Sequence, residues 1–111
     1  MKRILVVLLG LVLLSGVVGL AGTAVTPRVY DNFLLFDNAS GAAATKLAII
    51  FDTEVTFDAD DIVVFGGDMP TMIAITQTYA FIDVAVVKGG TFQLELPADS
   101  TAVVTSAFWF D

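Results

Sequence analysis

The chain predicts an all-β fold: a small antiparallel two-sheet sandwich of roughly seven or eight short strands behind an N-terminal leader. Three observations carry that expectation. Past Ala24 no apolar repeat at helical spacing survives, and apolar residues alternate with polar ones or run in short blocks. Clusters of Gly, Pro, Asn, Asp and Ser break those blocks at intervals of roughly 8–12 residues, the spacing of sandwiches and small barrels. Apolar residues make up 57% of the chain, enough to fill a core without the disulfides that small exported domains often use. A small closed barrel is the alternative architecture.

The strands follow in order. VYDNFLLF (29–36) leads into a loop at Asp37-Asn38-Ala39-Ser40-Gly41. TKLAIIF then sets Thr45, Leu47, Ile49 and Phe51 on one face, and EVTF continues beyond a bend at Asp52-Thr53. DIVVF (61–65) is a near-continuous apolar run and reads as a buried strand, ended by Gly66-Gly67-Asp68-Met69-Pro70. TMIAITQT alternates, and AFIDVAVV points Ile82, Val84 and Val86 one way and Phe81 and Asp83 the other. Gly89-Gly90 predicts a tight hairpin, because glycine tolerates the positive φ angles of two-residue turns. TFQLELP sends Phe92, Leu94 and Leu96 inward. The closing run TAVVTSAFWF puts Phe108 and Phe110 on the core face and Trp109 on the other.

The first residues have a different character. Lys2 and Arg3 precede an uncharged apolar run from Ile4 to Leu20, and small residues follow at Ala21, Gly22, Thr23 and Ala24. That order is the pattern of a secretory signal peptide. A cut fits after Ala21, with Gly19 at −3, or after Ala24, with Gly22 at −3. The reading taken is a leader over 1–24 and one domain over 25–111, secreted or otherwise extracytoplasmic. The alternative is an uncleaved anchor, for which the run is short against the about 20 apolar residues of a spanning helix. With no cysteine, a lipid-anchored terminus is closed to the chain.

Charge narrows the partners. Loss of Lys2 and Arg3 leaves 3 basic groups (Arg28, Lys46, Lys88) against 12 acidic ones, a net −9. Such a surface repels nucleic-acid phosphates and anionic headgroups, so neither is an expected partner. Membrane association is expected only through an uncleaved leader.

Catalytic chemistry is restricted as well. The chain has no histidine and no cysteine, which removes Ser-His-Asp and Cys-His sites, the usual zinc sites and the commonest neutral-pH base. No phosphate-binding glycine loop opens a helix. Two carboxylates at the right separation could still hydrolyse a glycoside, which makes a small hydrolase the outlying reading. The expectation is a protein that is not an enzyme and needs no cofactor.

Four features are candidates for function. Asp58, Asp60 and Asp61 offer three carboxylates in a short turn, the raw material of a weak calcium site, although the D-x-[DN]-x-[DN]-G order is missing. The alternative is a polar turn between strands, with Asp capping it. Tyr30, Tyr79, Phe81 and Trp109 fall on faces directed away from the core, where aromatics stack on sugar rings or anchor a protein partner. TAVVTSAFWF is long, flat and uncharged, so as an edge it invites strand addition by a second copy; the alternative is an ordinary central or closing strand, tucked between neighbours. Asn38-Ala39-Ser40 is an N-glycosylation sequon in a loop, expected to be accessible, its use depending on the organism.

Asn38-Ala39-Ser40-Gly41 followed by T-x-L-x-I-x-F and Val55, then Gly89-Gly90-Thr91-Phe92, then a tryptophan in the closing strand, together resemble secreted immunoglobulin-like and fibronectin-III-like sandwich modules. The resemblance spans about residues 32–109 and lacks the Cys…Trp…Cys signature of true immunoglobulin domains. It implies a sandwich fold and an extracellular habitat. The sequence reading is therefore an acidic, secreted, non-catalytic module for binding or adhesion, its partner a glycan or an extracellular protein. The alternative is a structural subunit of a fibre or surface layer, assembling through its C-terminal strand.

Overall fold

Even-numbered residues from Ala80 to Leu96 are apolar except at Lys88, beside the Gly89-Gly90 bend, and this stretch folds as a single strand. In the computed structural model, which describes residues 22–111, β7 (Tyr79–Glu95) is 17 residues long. Ala80, Ile82, Val84, Val86, Phe92, Leu94 and Leu96 are all buried along one face of it. The expected hairpin at Gly89-Gly90 is corrected: the chain bends there and runs on. Gly89 takes φ +82, and a Cβ on Gly90 would lie 2.8 Å from the carbonyl oxygens of Phe65 and Gly66. A hairpin would pair the two halves of β7 with each other, but each half has two other partners.

The remaining strands arrange themselves around that bend. They are β1 (Thr23–Ala24), β2 (Arg28–Tyr30), β3 (Phe33–Asp37), β4 (Ala44–Phe51), β5 (Ile62–Gly67), β6 (Met72–Thr76) and β8 (Val104–Phe110). On the first half of β7, β4 and β6 take opposite edges, since Leu47 and Ile73 both pair with Ile82. On the second half β3 and β5 do the same, with Leu34 and Ile62 both opposite Leu94. β8 and then β1 lie beyond β4, and β2 lies beyond β3. Every pairing is antiparallel, and the result is one sheet curled into a half-barrel. The expectation of two separate sheets gives way to one, because β7 belongs to both halves.

Two short connections were hidden in the sequence. Tyr30 pairs with Phe33 and Thr76 with Tyr79, so two-residue turns at Asp31-Asn32 and Gln77-Thr78 reverse the chain. Asp31 and Gln77 each take φ 54 at the first central position. VYDNFLLF is therefore two strands, not one.

Trp109, Phe36, Phe92, Leu47, Ile49, Ile82 and Leu94 fill the concave interior, with Phe36 and Phe92 edge to face at 6.1 Å. DIVVF is corrected from a buried strand to an edge: Ile62 is buried, while Val63 and Phe65 are 44% and 53% exposed. It has β7 on one side only, so its outer face meets solvent. The C-terminal strand takes the central place, one of the two weighed from the sequence: β8 lies between β4 and β1 rather than at an open edge.

Candidate functional site

The cross-strand register defines an outer face on the first half of the sheet. Residues directly opposite each other in an antiparallel pair project to the same side. Ala48 of β4 pairs with Phe81 on one side and Phe108 on the other, and Phe81 pairs onward with Ala74. In the next row Lys46 lies between Phe110 and Asp83, with Met72 beyond. In the row on the other side Ile50 lies between Ser106 and Tyr79, with Thr76 beyond. Two aromatic pairs thus flank a central strip of Lys46, Ala48 and Ile50. Tyr79 and Phe81 stack nearly parallel at 6.5 Å and 20°, and Phe108 and Phe110 tilt at 6.5 Å and 48°. Phe81 and Phe108 stand two strand spacings apart, about 10 Å.

Polar groups on this face are few. Tyr79 is 41% exposed, and its partial burial raises the phenol pKa above the ordinary value. Asp83 sits opposite Lys46, yet its Oδ1 is buried without a hydrogen-bond partner among the described residues. That orphan acceptor is the one unsatisfied buried side-chain oxygen found among the described residues.

The aromatic assignment from sequence is thereby half right. Tyr79 and Phe81 are on the outer face as expected, and Tyr30 is 56% exposed on β2. Trp109 is corrected: it is only 2% exposed, points into the core and donates from Nε1 to the Asp37 carbonyl at 2.9 Å. Phe108 and Phe110 take the outer positions in its place. Alternation separates Trp109 from its neighbours but does not say which parity faces the core. The indole's larger apolar body and its single donor are both satisfied inside.

Asn38 is the second correction. Expected to be accessible, it is 0% exposed, where β3 gives way to β4 along the same edge of β7. Its Nδ2 donates to the carbonyls of Ala42, Val86 and Val87 at 2.9, 3.1 and 3.2 Å. Its Oδ1 accepts from the Ser40 hydroxyl at 2.6 Å and the Ser40 amide at 3.2 Å. The sequon serine thus locks the asparagine inward, and a glycan on Nδ2 has no place in this fold.

The acidic turn is a short 3-10 helix, Ala59–Asp61, closed by its own carboxylates. Asp58 accepts from the Asp60 amide at 2.9 Å, and Asp61 accepts from the Asp58 amide at 3.0 Å. This is a capping box, the use of Asp that the polar-turn reading anticipates. Among the described residues no three His, Cys, Asp or Glu side chains converge as a metal site would require.

Elsewhere Arg28 and Asp37 form a bidentate ion pair, Nε to Oδ2 at 2.7 Å and Nη2 to Oδ1 at 2.9 Å. The guanidinium, helped by the Thr91 hydroxyl, holds the Asp37 carboxyl below its ordinary value against the opposing effect of burial. The Arg28 guanidinium shifts upward in turn. Two clefts of ≈ 330 and ≈ 490 Å³ share Leu96 and Ser100. The smaller is lined by Glu54, Asp99 and the hydroxyls of Thr53, Thr56, Ser100 and Thr101. Sequence inspection pointed to neither of them, since residues 53–56 and 97–101 meet only in three dimensions. Comparison with protein-family models, curated proteins and solved structures finds no match for this chain.

Proposed function

We propose that this chain is an extracellular, non-catalytic binding module whose ligand face is the outer aromatic surface of Tyr79, Phe81, Phe108 and Phe110. The observation that supports it most is the strip of Lys46, Ala48 and Ile50 running between the two aromatic pairs. The C–H faces of a sugar ring stack on such rings, and the two pairs close over Ala48, which is buried between them. Lys46 supplies a donor and Asp83 an acceptor at the margin of the same surface. The net negative charge disfavours sulfated or phosphorylated sugars, so the expected ligand is a neutral glycan. The immunoglobulin-like resemblance agrees with an extracellular habitat.

A glycan array probed with the exported protein tests this reading, followed by titration of any hit against Phe81→Ala and Phe108→Ala. Each substitution removes one stacking ring and is expected to weaken binding by about 2 kcal/mol, roughly thirtyfold in Kd. An array without neutral-glycan hits, or hits unaffected by either substitution, would sink the proposal.

One observation favours a second reading, assembly into a fibre or layer. β5 and β6 each pair with β7 on one edge and with no other strand among the described residues. β6 reads MIAIT, without charge or proline to discourage pairing. The assembling edge would then be β5–β6 and not the C-terminal strand. Polymers in negative-stain microscopy that Ala74→Lys dissolves would support it, and a monomer at all concentrations would end it.

A further inference from the structure

We infer that processing cuts this chain between Ala21 and Gly22, so that Gly22 becomes its first residue. The inference rests on the export reading above, and concerns which of the two candidate bonds is hydrolysed. Small residues at −3 and −1 satisfy a leader protease equally at both bonds. The fold does not treat them equally.

Residues 22–25 are built into the sheet. Thr23 and Ala24 pair with Trp109 and Phe108, and the Val25 amide donates to the Ala107 carbonyl at 2.9 Å. Val25 itself packs against the core. Gly22 continues the register opposite Phe110, where a Cβ would lie 2.8 Å from two ring atoms and 2.9 Å from the Phe108 Cβ. Only glycine fits that approach without moving the ring. These residues belong to the domain and not to a discarded leader.

Hydrolysis after Ala21 adds one water across the peptide bond, giving a carboxylate on the released leader and an ammonium on Gly22. That ammonium belongs to a half-buried residue at the start of β1, ahead of the paired Thr23 and Ala24, and its charge leaves the β1–β8 pairing intact. Hydrolysis after Ala24 does the reverse. It strips β1 from β8, leaves the edge of Phe108 and Trp109 open, and places the new charge on the half-buried nitrogen of Val25, which now donates to Ala107. The cut after Ala21 therefore closes the β8 edge, and the cut after Ala24 opens it.

Intact mass and N-terminal sequencing of the protein exported by a secreting host decide the matter. The expected product begins at Gly22. A product beginning at Val25 overturns the inference while leaving the export reading standing. A cell-associated chain that keeps Met1 and Lys2 overturns both. Ala21→Leu gives an independent arm, because it places a large residue at −1 of one bond and −4 of the other. Loss of the wild-type product is expected, the chain staying uncut or beginning at Val25 instead. Release of a product with the same first residue and in the same amount as from the unsubstituted chain overturns the inference.

Discussion

Single residues carry more of this fold than their positions in the sequence suggest. Trp109 fills the interior and ties β8 to Asp37 through its indole N–H. Trp109→Ala is expected to cost about 3–5 kcal/mol in urea unfolding, the range of large aromatic truncations in cores. Asn38 closes the gap between β3 and β4, and Asn38→Ala takes its donor from the carbonyls of Ala42, Val86 and Val87 and its acceptor from Ser40, although the Ser40 hydroxyl still reaches the Ala42 carbonyl. A loss of about 2–3 kcal/mol is expected by the same measurement. Asp37 adds an acid dependence. Its pKa is lowered from 3.8 chiefly by Arg28, so the folded state binds that proton less readily than the unfolded chain. The stabilisation is complete above the unfolded value and disappears as pH falls through the lower folded value. Asp37→Asn should flatten that part of a plot of urea midpoint against pH. An unchanged slope below pH about 4 would contradict the assignment. Both Asn38 and Trp109 stood out in the sequence, but their burial did not, since an Asx residue in a loop and an odd-numbered aromatic are each compatible with either side.

At the scale of elements, β7 and its bend organise everything else. Gly89 and Gly90 carry a turn signal in sequence, yet a glycine pair serves a reversal and a bend equally well. What decides is whether the two flanking runs pair with each other or with third strands. The close approach of β5 at Gly90 makes a test: Gly90→Ala pushes a methyl into two carbonyl oxygens and is expected to cost about 1–3 kcal/mol. A neutral outcome would show that the bend relaxes freely. The closing strand shows the same limit. TAVVTSAFWF was legible as a strand from its β-branched and aromatic residues, and a central place was one of the two it suited, but the neighbour that covers it was not legible. Its edge is covered by Thr23 and Ala24, which by sequence alone also suit the end of a leader.

For the whole molecule, the half-barrel separates three surfaces with different chemistry. The concave face is core, the outer face of the first half carries the two aromatic pairs, and the β5–β6 edge is unpaired among the described residues. These surfaces make separable predictions. A ring truncation on the outer face, Phe81→Ala, should reduce glycan binding while leaving any self-association unchanged. Phe65→Lys on the β5 edge, opposite Thr91 and outside the aromatic rows, should abolish polymers, seen by size-exclusion chromatography, while leaving glycan binding unchanged. An effect of both substitutions on both readouts would mean that one surface serves both ends.

The sequence by itself determined the all-β class, most of the β-rich runs, the alternation along them and the exclusion of histidine- and cysteine-dependent chemistry. Those follow from local periodicity and composition, which need no knowledge of distant residues. It also pointed to Tyr79 and Phe81, one of the two aromatic pairs of the candidate face. Only the tertiary structure decided that one sheet and not two is formed, that Trp109 faces in and Phe108 and Phe110 face out, and that Asn38 is sealed. Each of those depends on which strand lies beside which. A strand with period two offers two equivalent faces and two equivalent edges, and the neighbours it acquires on folding are what break the tie.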